Sequence, residues 1–251
     1  MSGHSKWSTI KRKKGKADAA RGRMFTKVGR EIITAARDGG GDPEMNPRLR
    51  TAVAAAKAIN MPADNIKRAI QRGTGELPGA QYEEVQYEAY GPAGVALLIQ
   101  TLTDNRNRTV AEIRHLLSKN GGSLGETGCV GWMFSRQGMI EVDSAGVGED
   151  QLLEIAMEAG ATDMSNDDGT FSITTDPENL ETVKSALEGK NIAVANAEQA
   201  MVPQSTVTLD EKAAEQMLKL MDVLDEHDDV QKVWANFDID NDILERLSSE
   251  E

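Results

Sequence analysis

Apolar residues recur with a helical period through the first part of the chain. In residues 17–37, Phe25, Val28, Ile32 and Ala36 stand three or four positions apart, which predicts one buried helical stripe. At about 100° per residue, Arg23, Lys27, Arg30, Thr34 and Arg37 gather on the opposite side, with Glu31 at the edge. Glycines 39–41, Asp42 and Pro43 end this helix. Asn46 followed by Pro47 reads as an N-cap and first helical position, opening a second helix with Leu49, Ala52, Val53, Ala56 and Ile59 inward. Pro62 starts a third, with Ile66, Ala69 and Ile70 inward, and Gly73 and Gly75 stop it. Three short amphipathic helices of this kind predict a small bundle.

Beyond a turn-rich linker at 77–80 the period shortens to that of strands. Residues 85–90 and 95–102 flank Gly91-Pro92-Ala93-Gly94 and predict a hairpin. A helix at 106–119 turns Val110, Ile113, Leu116 and Leu117 inward and is stopped by Gly121-Gly122 before a strand expected at 129–134. Then come a strand at 139–142, a helix at 150–158, strands near Asp163 and at 171–174, a helix at 177–187 and a strand at 192–201. That order, βαββαβ, is the split arrangement of a ferredoxin-like lobe. A helix at 210–224 and a strand at 230–237 remain, and they are expected to complete the hairpin lobe, the alternative being that they pack independently. The fold class is therefore α+β: an N-terminal three-helix domain followed by two α+β lobes, one ferredoxin-like and inserted into the other. The expected domains are 1–78, 79–135 with 204–251, and 136–203.

Charge changes this picture of a plain mixed fold. The net charge of -13 over 251 residues conceals two opposed parts. Residues 1–75 hold 17 Lys+Arg against 6 Asp+Glu, a net +11, while residues 76–251 hold 11 against 35, a net -24. A local charge of that size attracts a polyanion despite the acidic whole. The candidate contacts are His4, Lys6, Trp7, Lys11, Arg12, Lys13 and Lys14 in the tail, then Arg21, Arg23, Lys27, Arg30 and Arg37 along the first helix. Trp7 can stack on a base or dock on the neighbouring helices. A second constellation, Thr103-Asp104-Asn105-Arg106-Asn107-Arg108-Thr109, leads into the helix carrying Arg114 and Lys119. Arg106, Arg108 and Lys119 can meet a phosphate or a partner; equally, Asp104 and the asparagines can cap the helix while the arginines pair with nearby acids.

Catalytic signatures are scarce. The histidines are His4, His115 and His227, and no metalloprotease, nucleophile-elbow or P-loop motif occurs. The stretch Gly122-Ser123-Leu124-Gly125-Glu126-Thr127-Gly128 lacks the lysine of a P-loop and reads as a tight turn in preference to a phosphate cradle. Asp222, Asp225, Glu226, Asp228 and Asp229 have no EF-hand spacing and read as solvated acidic surface. No enzyme activity, metal or cofactor is expected. The single cysteine, Cys129, suits a reducing compartment, and neither a membrane span nor a secretory signal is read, so a cytoplasmic monomer is expected.

The chain closely resembles the YebC family, including its mitochondrial translational-activator relatives. The resemblance is carried by Gly3-His4-Ser5-Lys6-Trp7, Lys11, Arg21-Gly22-Arg23, Phe25-Thr26-Lys27, Gly40-Gly41-Asp42-Pro43, Asn60-Met61-Pro62, Tyr87-Glu88, Gly91-Pro92, residues 103–109, and Lys119-Asn120-Gly121-Gly122. Ala89 and Ala93 depart from it, standing where the family often has glycine. The resemblance implies a helical domain and two α+β domains, one discontinuous. It also implies a DNA-binding transcriptional regulator, or a ribosome-associated translation factor that binds ribosomal or transfer RNA and acts where proline-rich nascent chains stall. A module that meets an acidic protein through its basic tail is the third reading, made from the residues.

Overall fold

The computed structural model describes residues 17–167 and 169–249. In chain order the elements are α1 (Ala17–Gly39), α2 (Pro47–Ala58), α3 (Ala63–Gly73), β1 (Glu83–Tyr90), β2 (Ala96–Thr103), α4 (Arg106–Lys119), β3 (Ser123–Leu124), β4 (Phe134–Asp143), α5 (Glu149–Glu158), β5 (Ala161–Asp167), β6 (Thr170–Thr175), α6 (Leu180–Gly189), β7 (Val194–Pro203), β8 (Val207–Thr208), α7 (Glu211–Asp225), β9 (Val230–Ala235), β10 (Phe237–Asp238) and α8 (Asn241–Ser249).

The bundle is organised around α1, on which both α2 and α3 pack. Ile32, Ile33, Ala35 and Ala36 meet Leu49, Ala52 and Ala56 of α2 and Ile66 and Ala69 of α3. Asn46 joins the first two helices. Its side-chain oxygen accepts from the Leu49 N–H at 3.1 Å, and its amide donates to the carbonyls of Ala35 and Gly40, each at 2.8 Å. The small residue at the end of α3 is a packing requirement, since a Cβ on Gly73 would lie 2.4 Å from the Ile33 carbonyl oxygen.

The first sheet runs β3-β1-β2-β9 and is antiparallel throughout. Tyr87, Ala89, Leu97, Ile99, Val233 and Ala235 pack on Ile113 and Leu117 of α4 and on Met217, Leu220 and Leu224 of α7. The other face, Ala96, Leu98 and Trp234, packs on Val130 and Phe134. Burial on both faces explains why β2 reads as a continuous apolar run rather than an alternation.

The second sheet, β5-β6-β4-β7, is antiparallel and has the strand order of a ferredoxin-like unit, with Ile140, Val142, Phe171 and Ile173 covered by Leu152, Ala156, Val183 and Leu187.

Two expectations fail locally, and one helix was not expected. Residues 129–133 are not a strand: a 3-10 turn at Gly131–Met133 precedes β4, which begins only at Phe134. The N–H groups of Gly128, Val130 and Gly131 point at the Glu88 carboxylate and are unavailable to a ladder. The strand expected at 230–237 breaks at Asn236, whose side chain takes over the pairing by accepting from the Ala96 N–H at 2.7 Å. The terminal helix α8 has no counterpart among the sequence expectations, and its Ile243, Leu244 and Leu247 pack on the first lobe's core.

Ala93, in the hairpin turn, has φ 56 and ψ 20, a left-handed conformation that disfavours any residue with a Cβ. It is solvent-exposed, so its methyl group contributes little packing. Ala93→Gly is expected to raise stability by about 0.5 to 1 kcal/mol after the added unfolded-state entropy is deducted. A urea midpoint that fell instead would contradict this.

Candidate functional site

The cationic side of α1, expected to lie open to a polyanion, is instead covered by the first α+β lobe. Arg23 pairs with Glu226 at 3.0 Å, and Lys27 with Asp225 at 3.3 Å. Arg30 pairs with Asp229 and donates to the carbonyls of Leu102 at 3.1 Å and Asp228 at 2.8 Å. Arg37 donates to the Tyr82 carbonyl and pairs with Asp38. Thr34, on the same side, is buried. Three of the acids read as solvated surface, Asp225, Glu226 and Asp229, are thus the docking partners of this face, and Asp228 adds its backbone carbonyl. The helical wheel placed the cations correctly; what it could not supply was the lobe that folds back onto them.

Asp229 is the centre of this joint. Its side chain is 2% exposed and accepts from Arg30 of α1 and from Arg108 and Thr109 of α4. Burial opposes its ionisation, but the hydrogen bonds from Thr109, Arg108 and Arg30 outweigh that and hold its pKa at about 2. Arg108 also pairs with Asp104 at 2.9 Å, and the Asn105 side chain caps α4 by accepting from the Arg108 N–H at 3.1 Å. The loop at 103–109 therefore shows capping and acid pairing at Arg108, while Arg106 lies exposed near the Tyr87 phenol. Lys119 is exposed at the end of α4.

Glu112, His227 and Asp229 bring oxygen and nitrogen atoms within 4.8 Å of one another. As a metal site this set fits poorly. Both Asp229 oxygens already accept hydrogen bonds, and His227 Nδ1 accepts the Asp229 N–H at 3.1 Å. That network assigns the ring proton to Nε2, directed at Glu112 at 2.9 Å, so Nε2 offers no lone pair to a cation.

The glycine-rich turn does form an anion cradle, but the anion is the protein's own. The buried Glu88 carboxylate accepts from Gly128 at 2.6 Å and from Val130 and Gly131 at 2.7 Å each. Burial opposes its charge, and these N–H groups overcome that and lower its pKa.

Cations left outside the joint lie on the outer surfaces of α2 and α3. Arg50, Lys57, Lys67, Arg68 and Arg72 are exposed there, as is Arg21 on α1. Among the described residues, Lys57, Lys67, Arg68 and Arg72 have no acid at ion-pair distance. On α3 the three cations stand against the single acid Asp64. That imbalance within α3 is visible in the sequence, but the larger cation cluster on α1 overshadows it. His4, Lys6, Trp7, Lys11, Arg12, Lys13 and Lys14 lie outside the described residues. No helix among the described residues is long and apolar enough to cross a membrane.

Comparison with known proteins covers both parts of the chain. Residues 5–76 match the family model described as TACO1/YebC protein N-terminal domain, and residues 82–237 the one described as TACO1/YebC second and third domain. A probable transcriptional regulatory protein of Desulfosudis oleivorans is 57% identical over 245 residues, 98% of this chain and 100% of its own. One of the same description from Pelotomaculum thermopropionicum is 58% identical over 243 residues, 96% of this chain and 100% of its own. The crystal structure of a conserved hypothetical protein from Aquifex aeolicus superposes with a TM-score of 0.82 at 50% identity, over 90% of this chain and 94% of that one.

The geometry at Asp229 makes stability depend on acidity. Its folded pKa of about 2 lies below the ordinary 3.8, so its contribution is complete above about pH 4 and is lost as pH falls toward 2. Asp229→Asn, which removes the buried charge that balances the largely buried Arg30 and the more exposed Arg108, is expected to lower stability by about 2 to 4 kcal/mol at neutral pH. Chemical denaturation from pH 2 to 7 checks both: the gap between parent and variant should narrow in acid, and a constant gap would contradict the ionic role.

Proposed function

The chain belongs to the TACO1/YebC family, and on that premise we propose that it is a non-enzymatic regulator of gene expression that grips nucleic acid through phosphate and shape. The observation that carries this reading is the division of labour among the N-terminal cations. Arg23, Lys27 and Arg30 of α1 are engaged in docking, whereas Lys57, Lys67, Arg68 and Arg72 face solvent without an acid at ion-pair distance among the described residues. Together with the basic residues of the tail they make one end of the molecule attractive to a polyanion. The lobes beyond it, within a segment of net charge -24, disfavour broad electrostatic contact with the same polyanion and bias phosphate binding toward that end.

This arrangement suits structured RNA, ribosomal RNA included. Lysine and arginine side chains on short helices recognise phosphate spacing, and a single copy of an 11-residue helix such as α3 reads little sequence. On this reading the protein acts in the cytoplasm as a ribosome-associated factor, and relief of stalling at proline-rich nascent chains is the activity the family resemblance suggests. One observation favours the second reading, a DNA-binding transcription regulator, in keeping with the names of the relatives. α2 and α3 are joined by a four-residue turn in which Asn60 has φ 58, and α3 exposes Asn65 beside Arg68 and Arg72, side chains able to read base edges.

Cosedimentation with purified ribosomes in the presence of excess promoter-length duplex DNA separates the two. Binding that survives the DNA supports the translation reading; release by DNA of one particular sequence supports transcription. Salt dependence locates the binding surface. Replacing Lys67, Arg68 and Arg72 by alanine should flatten the slope of log affinity against log salt by roughly 0.7 to 0.9 for each phosphate no longer neutralised. Lys27→Ala should leave the slope at its parent value, and the reverse pattern would return the nucleic acid to α1.

A further inference from the structure

Trp132 is 68% exposed, the most open of the large aromatic side chains among the described residues, yet it is not loosely attached. Its indole N–H donates to the Cys129 carbonyl at 3.2 Å, and the Tyr90 hydroxyl donates to the same oxygen at 3.3 Å. The polar edges of both rings therefore converge on one atom, and Tyr90 is itself 36% exposed. Behind them, Glu88 draws the N–H groups of Gly128, Val130 and Gly131 inward and fixes the loop. Glycine is required in it. Gly128 has φ +89, and a Cβ on Gly125 would lie 2.4 Å from the Cys129 sulfur. Val130 and Phe134, on either side of Trp132, are buried against Ala96, Leu98 and Trp234, so the turn is anchored at both ends.

A buried carboxylate, three directed N–H groups and two constrained glycines thus hold an exposed tryptophan in one place. Folding alone offers no reason for it, because the indole covers little of the core. We infer that Trp132, with Tyr90 beside it, is a stacking platform for an unpaired base of single-stranded nucleic acid. With their polar edges already satisfied, the rings offer a partner their π-faces, which every base can use. Two exposed cations lie near the platform along the chain within an otherwise acidic region. Lys119 ends α4 four residues before Ser123, which pairs with Tyr90, and Arg136 follows Trp132 by four. Among the described residues neither has an acid at ion-pair distance.

This inference rests on the nucleic-acid reading and adds a second binding surface, remote in sequence from the N-terminal bundle. The probe is a short labelled oligoadenylate RNA, titrated into the full chain carrying Trp7→Phe. Trp132 and Trp234 both emit in this variant, but the change on adding RNA reports on Trp132, because Trp234 is buried out of reach of a stacking base. RNA should quench that emission. Trp132→Ala should weaken binding roughly 5- to 150-fold, the range for removal of one stacked base, with an unchanged salt slope. Trp132→Phe should recover most of the loss, and an unchanged thermal midpoint in both variants verifies the fold. Binding by Trp132→Ala at the parent's affinity, while Arg68→Glu weakens it, would overturn the platform and leave the nucleic-acid reading standing. A parent chain that binds neither RNA nor DNA at low salt would remove both. Quenching by an arginine-rich peptide but not by RNA would overturn the base platform in favour of a protein partner.

Discussion

A single buried carboxylate decides how the parts of this molecule face one another. Asp229 sits in the loop between α7 and β9 and accepts from Arg30 of the helical bundle and from Arg108 and Thr109 of the adjoining lobe. An isolated charge at that depth would be costly, so it is tolerable only with several donors around it. Those donors come from two folding units, and satisfying the carboxylate requires that the units be docked. Arg30 contributes twice, because its guanidinium also lies 5.2 Å from the centre of the Tyr82 ring in the segment connecting the bundle to the lobe. The outlying pairs, Arg23 with Glu226 and Lys27 with Asp225, are more exposed and add orientation more than strength.

Docking at this point has a functional consequence through charge. It neutralises Arg23, Lys27 and Arg30 of α1 against Glu226, Asp225 and Asp229 at the end of α7 and just beyond it, and it fixes which surface of the bundle remains positive. Had the bundle been free to turn, its most basic helix would have competed for both a polyanion and the acidic lobe. Instead Lys57 of α2 and Lys67, Arg68 and Arg72 of α3 stay exposed, without an acid at ion-pair distance among the described residues. The proposed recognition by phosphate and shape rests on that placement, since the exposed charged residues there are mostly lysine and arginine.

Much of the fold is legible because its determinants are local. Asn46 before Pro47 specifies a helix start by a side-chain hydrogen bond and a missing N–H, and the cap forms as expected. The α4 boundaries follow from Asn105 and the glycines after Lys119. The ferredoxin-like order emerges from alternating periods bounded by turns. Features resting on distant partners are not legible. A helical wheel shows that α1 has two distinctive sides but not that both are covered. The apolar run after Gly128 resembles a strand until Glu88, forty positions earlier, is known to capture its N–H groups. The prominence of Trp132 is hidden for the same reason: its exposure depends on a loop whose shape is dictated by a residue on another strand.

The central claim is that α1 serves the protein's own architecture while other cations meet the nucleic acid. Lysine-specific chemical labelling, read by mass spectrometry with and without bound RNA, tests it directly. Lys27 should be weakly reactive in both states, whereas Lys57 and Lys67 should be reactive when free and protected when bound. A Lys27 that reacts readily in the free protein and becomes protected on binding would contradict the account.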